Sequence, residues 1–576
     1  MNVSRWQFKY HNNLDMRGTI YMIKNQAKKS NIYILIFVTL ILFVALFLRI
    51  YNLEKFSLWA DEPYHLFVSQ SILEDGSLKL PSGNEYGRAK LFSYITALST
   101  YIFGMNEFGL RLPTALFGFL SLLIFFFFTR KLLNNSLAIV SLILLTFLPL
   151  EIGWARVTRF YTLFQFFSII VWYSFYIGFI RKNNTFEKYE SFKISNFINV
   201  VKNWKINWLF LLLFFVVFLL AVSVQIIGAL LLIPIFTFIV LYGFYLLLKV
   251  DLKNFFVSKY FIAATSSAFL IVIAYLFLPQ ISDLMNEGLT YIPAFAKYQV
   301  GLDRMQFIKF IMSKDIFPIG AFFVIGTLQS VLRMNKIILY SALFFIIPMF
   351  LFTFVFSYRL IHYIYNVIPF FVLVAGYGVV NVVIMERENF KRVKNIIYQW
   401  LSKYTKKTSI FVILMFTLLF VFSPFFIEGL SIPFRKPGEF NGAVKFVEWK
   451  EGVEFLKDNA ENSDVILTTL PLAIKHYFGR ADYNLNLNDV AVARLNGTMD
   501  SQNRYYDFYT GIYFIENSIQ LDQLKKDRSS GYIIIDTFRL VTSQYVSKDL
   551  ARHIEENLEL VYLTPYQTVR VYKWGQ

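Results

Sequence analysis

Arg49-Ile-Tyr-Asn-Leu-Glu-Lys-Phe-Ser-Leu-Trp59-Ala-Asp61-Glu62-Pro63-Tyr64-His65 stands directly after the first strongly apolar run of the chain and carries two adjacent carboxylates. The run before it, Asn31 to Ile50, is long enough at ~1.5 Å per residue to cross a ~30 Å hydrocarbon core. The acidic pair is therefore expected just beyond a membrane span, close to the lipid surface. Pro63 suits the first turn of a helix, which places Asp61 or Glu62 at an N-cap, where free amides and the helix dipole favour the ionised carboxylate. An ionised carboxylate there can serve as a general base. The same pattern also describes an ordinary N-cap, so the rest of the chain has to decide.

Of the 576 residues, 56% are hydrophobic, 19% are aromatic and only 16% are charged, which is far more apolar than a soluble domain. The class is a polytopic α-helical membrane protein. The absence of cysteine excludes a disulfide framework, a thiolate metal site and a cysteine nucleophile. A net charge of +18 is not the mark of a nucleic-acid partner here. The basic residues fall mainly in short segments between apolar runs, as cytoplasmic loops do.

Residues 1–30 are polar and basic, with Arg5, Lys9, Arg17, Lys24, Lys28 and Lys29 against the single acid Asp15. They read as a cytoplasmic tail ahead of a retained signal anchor. A long loop from Tyr51 to about Arg111 faces outward, its amphipathic part Leu91 to Phe103 lying along the interface. Further apolar runs follow, ending with Ser409 to Ile427. The count predicts about eleven transmembrane helices over residues 31–428, with the N-terminus inside and the C-terminus outside, in the plasma membrane. From 429 to 576 the composition is that of a small extracytoplasmic α/β domain. Gly452–Asn459, Ala473–Phe478 and Ser547–Asn557 are expected as helices, and Asp464–Leu470, Tyr532–Thr537 and Thr568–Trp574 as strands.

Charged residues near a bilayer mark function, and three outward groups stand out: Asp61-Glu62 with His65; Glu151-Ile-Gly-Trp-Ala-Arg156-Val-Thr-Arg159-Phe-Tyr161; and Tyr358-Arg359 with His362-Tyr363. Carboxylates beside arginines at one membrane face suit transfer of a group from a lipid-linked phosphate. The carboxylate removes a proton from an acceptor hydroxyl, while guanidinium forks hold the phosphate and stabilise the charge growing on it. The plainer alternative has Arg156 and Arg159 anchoring helix ends at the headgroups and pairing with Glu151. With five histidines and no His-x-x-x-His spacing, His65 and His362 read as hydrogen-bonding groups. No cofactor is expected to be required, and a divalent metal is possible but not indicated by the spacing.

Trp59-Ala-Asp61-Glu62 resembles the Asp-Glu motif of the GT-C fold glycosyltransferases. Tyr86-Gly87-Arg88-Ala-Lys90-Leu91-Phe-Ser-Tyr94, then Phe103-Gly104-Met-Asn-Glu107-Phe-Gly-Leu-Arg111-Leu-Pro113-Thr-Ala-Leu-Phe-Gly118, resembles a block of the protein mannosyltransferase and aminoarabinose transferase group. That block usually reads Gly-Lys-Pro-Pro-Leu and then Gly-x-x-Glu-x-x-x-Arg-Leu-Pro. Leu148-Pro149-Leu-Glu151 and Ala155-Arg156-x-x-Arg159-x-Tyr161 are similar to the group's second outer loop, and Arg359 to Pro369 to its late Arg-Tyr segment.

The resemblance implies an inverting transferase with a polyprenyl-phosphate sugar donor, membrane lipids around it, and a lipid, protein or glycan acceptor. Asp61 is then the base and Glu62 its neighbour, ordering the loop or the acceptor. Arg88 stands where the group has a phosphate-side lysine, and Arg156 and Arg159 match basic positions of the second loop. Ala89-Lys90 replaces the usual Pro-Pro, so the loop is expected to bend differently and Lys90 to add a phosphate contact. Arg359 and His362 belong to the donor side of the late segment, while His65, Glu151, Tyr161 and Tyr363 complete the site. No Trp-Trp-Asp block is present, which disfavours en bloc glycan transfer. Two other readings share features with this one. A lipid-linked glycan polymerase or ligase would differ in acceptor length, and a polar-lipid transporter or flippase would place its charges near the midplane of the spans.

Overall fold

The computed structural model describes residues 16–181, 204–249, 255–256, 258–267, 305–313, 316–356, 360–397 and 424–575. The chain opens with α1 (Met16–Ile50). Val38, Ile41, Ala45 and Leu48 are buried at spacings of three and four, whereas Leu35, Leu40 and Phe43 are exposed, so one stripe of the helix packs inward and the other is left for lipid. Next come α2 (Glu62–Asp75), α3 (Lys90–Phe103), α4 (Glu107–Leu132), α5 (Asn135–Phe147), the short α6 (Pro149–Trp154) and α7 (Tyr161–Phe175), which continues through a π-turn at Tyr176–Ile180.

Among the described residues five helical stretches are long and apolar enough to cross a membrane: Glu107–Leu132, Tyr161–Ile180, Ile226–Leu247, Lys336–Val355 and Ile361–Val382. The shorter apolar helices Ile34–Ile50, Asn135–Phe147, Trp208–Val224 and Phe317–Leu332 accompany them. Each lies over an expected span. A further span expected from the apolar run Phe261 to Leu278 falls outside the described residues beyond Ser267, and the last one, Ser409 to Ile427, does so before Pro424. The helices Phe317–Leu332 and Ile368–Ile397 meet at Gly326 and Gly378, where neither glycine has room for a Cβ against the other helix's backbone, the close approach that small residues permit between apolar helices.

The change of composition near Glu428 precedes the change of packing. The helix Pro424–Ser431 lies against α5 and α6, with Phe426 stacked on Phe147 at 3.9 Å. Ile432, Val444 and Phe446 share the core of the membrane helices. The separate α/β unit starts at the helix Trp449–Asn459. Its sheet consists of β1 (Val465–Thr468), β2 (Tyr483–Asn484), β3 (Tyr513–Phe514), β4 (Gly531–Asp536), β5 (Glu559–Leu563) and β6 (Val569–Trp574), in the order β3-β2-β1-β4-β6-β5. The first four are mutually parallel, while β6 runs antiparallel to both β4 and β5.

Every residue of β1 and β4 is buried, as befits parallel strands covered on both faces. Alternate residues serve opposite cores, Leu467, Ile533 and Ile535 on one face and Ile466, Tyr532 and Ile534 on the other. The helix after β1, Pro471–Phe478, packs on α2. The sheet thereby brings loops of the C-terminal unit against the Asp-Glu stretch.

Candidate active site

Arg111, near the start of α4, organises the segment between α1 and α2. Its guanidinium is fully buried, and all five N–H groups have partners. Nε and Nη2 donate to the two oxygens of Glu62 at 2.8 and 2.6 Å, and the rest go to the carbonyls of Leu53, Phe56 and Ser57 at 2.9 Å each. Phe446 lies under the plane of the guanidinium, 4.9 Å away. Glu62 accepts two more bonds, from the amides of Trp59 and Thr158, both at 2.7 Å. A carboxylate has about four acceptor sites, and here none is left for a substrate. Glu62, expected to order the loop or the acceptor, is wholly committed to the loop, with no oxygen left to meet an acceptor.

Asp61 immediately precedes α2 but makes no capping bond to the helix amides. The expected stabilisation by an N-cap is therefore not its environment. Its carboxylate turns instead to Arg159, at 3.2 Å, and its side chain keeps 35% of its exposure while that of Arg159 keeps 10%. Arg159 rests against the rings of Phe160 and Tyr161 and reaches the Tyr161 hydroxyl at 3.5 Å. The opposite charge of Asp61 and the Tyr161 and Tyr86 hydroxyls around it outweigh its burial and raise its basicity, so it remains a cation. Among the described residues its buried Nε has no hydrogen-bond partner.

Arg156, three residues earlier, goes elsewhere. It donates to the carbonyls of Leu48, Arg49, Tyr51 and Asn52 at 2.8–3.3 Å, closing the C-terminal end of α1 where carbonyls lack helical partners. The expected phosphate contact is corrected to a helix cap. Lys90 is corrected too, since its ammonium pairs with Glu85 at 2.8 Å on the open surface. Arg88 remains accessible, and its electrostatic neighbours are Tyr86, Tyr509, Arg159 and Tyr363. The residue between them, Ala89, has φ 50°, a value that proline, held near −65°, cannot adopt. The loop thus bends as Ala89-Lys90 allows and Pro-Pro would not.

Glu151 pairs with neither loop arginine. It is buried, accepting from Gln165 Nε2 at 2.7 Å and the Tyr365 hydroxyl at 2.9 Å, and burial pushes its carboxyl up to about 7. It ties α6 to α7 and to the 3-10 turn Ile361–Val367, so its expected place in the acceptor site is corrected to a structural one. His362 stacks on Tyr161 at 4.8 Å and meets Trp154 edge-on at 5.2 Å. Tyr363 stacks on Phe352 and, with Ile227, Leu230, Leu231, Pro348, Phe352 and Asn366, lines a narrow, mostly apolar crevice. Arg359 lies outside the described residues. His65, one turn after Asp61, is fully buried edge-on to Tyr86 and Phe92. Burial, with the Arg159 charge nearby, holds its imidazole well below the ordinary range, so it is neutral.

Some site residues lay beyond the sequence reading. Arg111 was present in the quoted Glu107-to-Pro113 block, and its signal was an arginine one helical turn after Glu107. Tyr64, Tyr86 and Tyr509 form an aromatic cluster, Tyr64 stacked on Tyr86 with ring centroids 6.1 Å apart and Tyr509 tilted at 45° against Tyr64 at 4.5 Å. Nothing local to Tyr509 announces this.

Residues 88–189 match the family described as dolichyl-phosphate-mannose-protein mannosyltransferase, a stretch that begins at Arg88 and contains α4 and both loop arginines. No curated protein matches the chain significantly in sequence. In structure the chain is similar to ArnT from Cupriavidus metallidurans bound to undecaprenyl phosphate, with a TM-score of 0.53 and 13% identity over 93% of this chain and 98% of that one. It is also similar to the archaeal oligosaccharyltransferase AglB from Archaeoglobus fulgidus in complex with an inhibitory peptide and a dolichol-phosphate, with a TM-score of 0.55 and 11% identity over 94% of this chain and 74% of that one. Identities this low speak for architecture alone. A bundle of apolar helices with an Asp-Glu loop at one end and a small sheet domain beside it, matched along nearly its full length, gives this membrane protein the GT-C fold.

Proposed function

We propose that this protein is a glycosyltransferase that moves a sugar from a polyprenyl-phosphate donor to an acceptor hydroxyl at the outer face of the plasma membrane, its N-terminus cytoplasmic and its C-terminal domain outside. The observation that carries the reading is the pairing of Asp61 with Arg159 at 3.2 Å in a partly open position. Base and anion clamp thus stand side by side. Support comes from the matched family, whose description names a dolichyl-phosphate-mannose donor, and from structural neighbours solved with undecaprenyl phosphate and dolichol-phosphate.

In the proposed step the acceptor O–H gives its proton to Asp61 and the oxygen attacks the anomeric carbon of the donor sugar. The bond from that carbon to the phosphate oxygen breaks, and its electron pair leaves on the polyprenyl phosphate. Arg159, with Arg88 at the open side, stabilises that growing charge. Glu62 and Arg111 hold the loop so that Asp61 is already placed when the substrates arrive. The test is to incubate the purified protein in nanodiscs with a panel of polyprenyl-phosphate sugars and membrane extract as acceptor source. Release of free polyprenyl phosphate with the sugar recovered on an acceptor is expected for at least one donor, and release for none contradicts the reading.

A further inference from the structure

We infer that the C-terminal domain supplies one wall of the donor-sugar pocket through Tyr509, which lies tilted against Tyr64, itself stacked on Tyr86. The inference rests on the donor reading above and deepens it.

The loop carrying Tyr509 is seated on the membrane domain by bonds that fix its place. Ser82 Oγ and Asn84 Nδ2 both donate to the carbonyl of Phe508, at 2.6 and 2.7 Å, and the Ser82 amide donates to the carbonyl of Tyr509 at 3.2 Å. Within the loop, buried Asp507 accepts from the Tyr509 amide at 3.0 Å and from the Thr510 hydroxyl, and the Gly511 amide returns to the Asp507 carbonyl at 2.8 Å. A surface loop held by this many bonds is pre-set rather than free to sample.

Three segments distant in sequence therefore bring three tyrosines together beside the charged pair. Tyr64 lies on the turn of α2 that Asp61 begins, and Tyr86 is an electrostatic and hydrogen-bonding neighbour of Arg159. The phenolic oxygens of Tyr86 and Tyr509 are among the electrostatic neighbours of Arg88. Tyr86 is closed off, while Tyr64 and Tyr509, packed with it on Val68 and Leu80, are only partly buried and keep some ring surface open.

A half-open row of tyrosine faces with hydroxyl edges matches a sugar ring, which has apolar C–H patches on its faces and hydroxyls around its rim. It does not match an isoprenoid chain, which has no hydroxyls to meet the phenolic edges. The pocket thus divides between a phosphate position at Arg88 and Arg159 and a sugar position against the tyrosines.

The test measures dissociation constants of the full-length protein in nanodiscs for undecaprenyl phosphate and for its mannose, glucose and aminoarabinose adducts. Wild type is expected to bind at least one adduct about tenfold more tightly than the bare lipid. Tyr509→Ala should erase that advantage while leaving bare-lipid binding within about twofold, and Tyr509→Phe should keep it. The double variant Ser82→Ala/Asn84→Ala, which loosens the loop without touching a ring, should lose part of it and serves if Tyr509→Ala does not fold. Intact lipid binding with the sugar preference unchanged in Tyr509→Ala, or equal loss in Tyr509→Phe, overturns this inference alone. Failure of wild type to bind undecaprenyl phosphate removes the donor reading itself.

Discussion

Arg156 and Arg159 lie three residues apart, and the fold sends them to different tasks. Arg156 closes the end of α1, and Arg159 faces Asp61. Arg156→Ala leaves buried carbonyls without donors, at a cost of about 1–3 kcal/mol. It should lower the melting temperature in detergent without changing the dissociation constant for undecaprenyl phosphate in the folded fraction. Arg159→Ala should do the reverse, weakening that binding about tenfold or more with a smaller effect on melting. The two residues were legible as a pair of outward arginines. Which of them faces the open pocket depends on the irregular turn between α6 and α7, and residue spacing does not encode that. Lys90 misled for a similar reason, because its neighbour in space, Glu85, forms the ion pair first.

Among the elements, the Asp-Glu loop is held by α4 rather than by its own helix. Glu62→Gln removes one charge of a fully buried pair and leaves Arg111 uncompensated, a loss of about 3–5 kcal/mol. The expected result is a large drop in thermal stability and protein that is cleaved early in limited proteolysis. Ala89 makes a second expectation. Ala89→Gly keeps the left-handed turn and should preserve donor binding, whereas Ala89→Pro, though closer to the usual motif, should abolish it in the same binding assay, because φ 50° is closed to proline. Long apolar helices and the buried strands β1 and β4 were readable from hydropathy and alternation. β2 and β3 have two residues each and were not. Their pairing is set by the sheet they join, since so short a segment carries no period of its own.

At the scale of the whole molecule, the soluble unit is latched to the helical bundle at Glu107. Lys450 Nζ pairs with it at 2.8 Å and the Tyr477 hydroxyl donates to it. Tyr477 also accepts from the Leu58 amide at 2.7 Å, and the Lys450 amide donates to Ser57 Oγ at 3.1 Å. These contacts join residues hundreds of positions apart, so the two domains were legible singly and their joint was not. A pH effect arises within the C-terminal unit, beside the loop that carries Tyr509. Burial, and then the mutual repulsion of Asp489 and Asp507, push the Asp489 carboxyl up to about 7. The folded protein therefore holds a proton that the unfolded chain gives up near pH 4. That contribution to stability is full below the ordinary carboxylate range and is lost as pH rises toward 7 and beyond. Asp489→Asn should accordingly raise the melting temperature relative to wild type at pH 8 and bring little gain at pH 4. Equal gains at both would show that the pair is not charged at high pH.

The central assignment is that Asp61 takes the acceptor proton while Arg159 holds the donor phosphate. Single-turnover transfer by Asp61→Asn, with the donor sugar lipid used by wild type, tests it most directly. The expected result is donor affinity within a few-fold of wild type and a transfer rate lower by about 10²–10⁴. Transfer at the wild-type rate with Asn at position 61 would contradict the assignment.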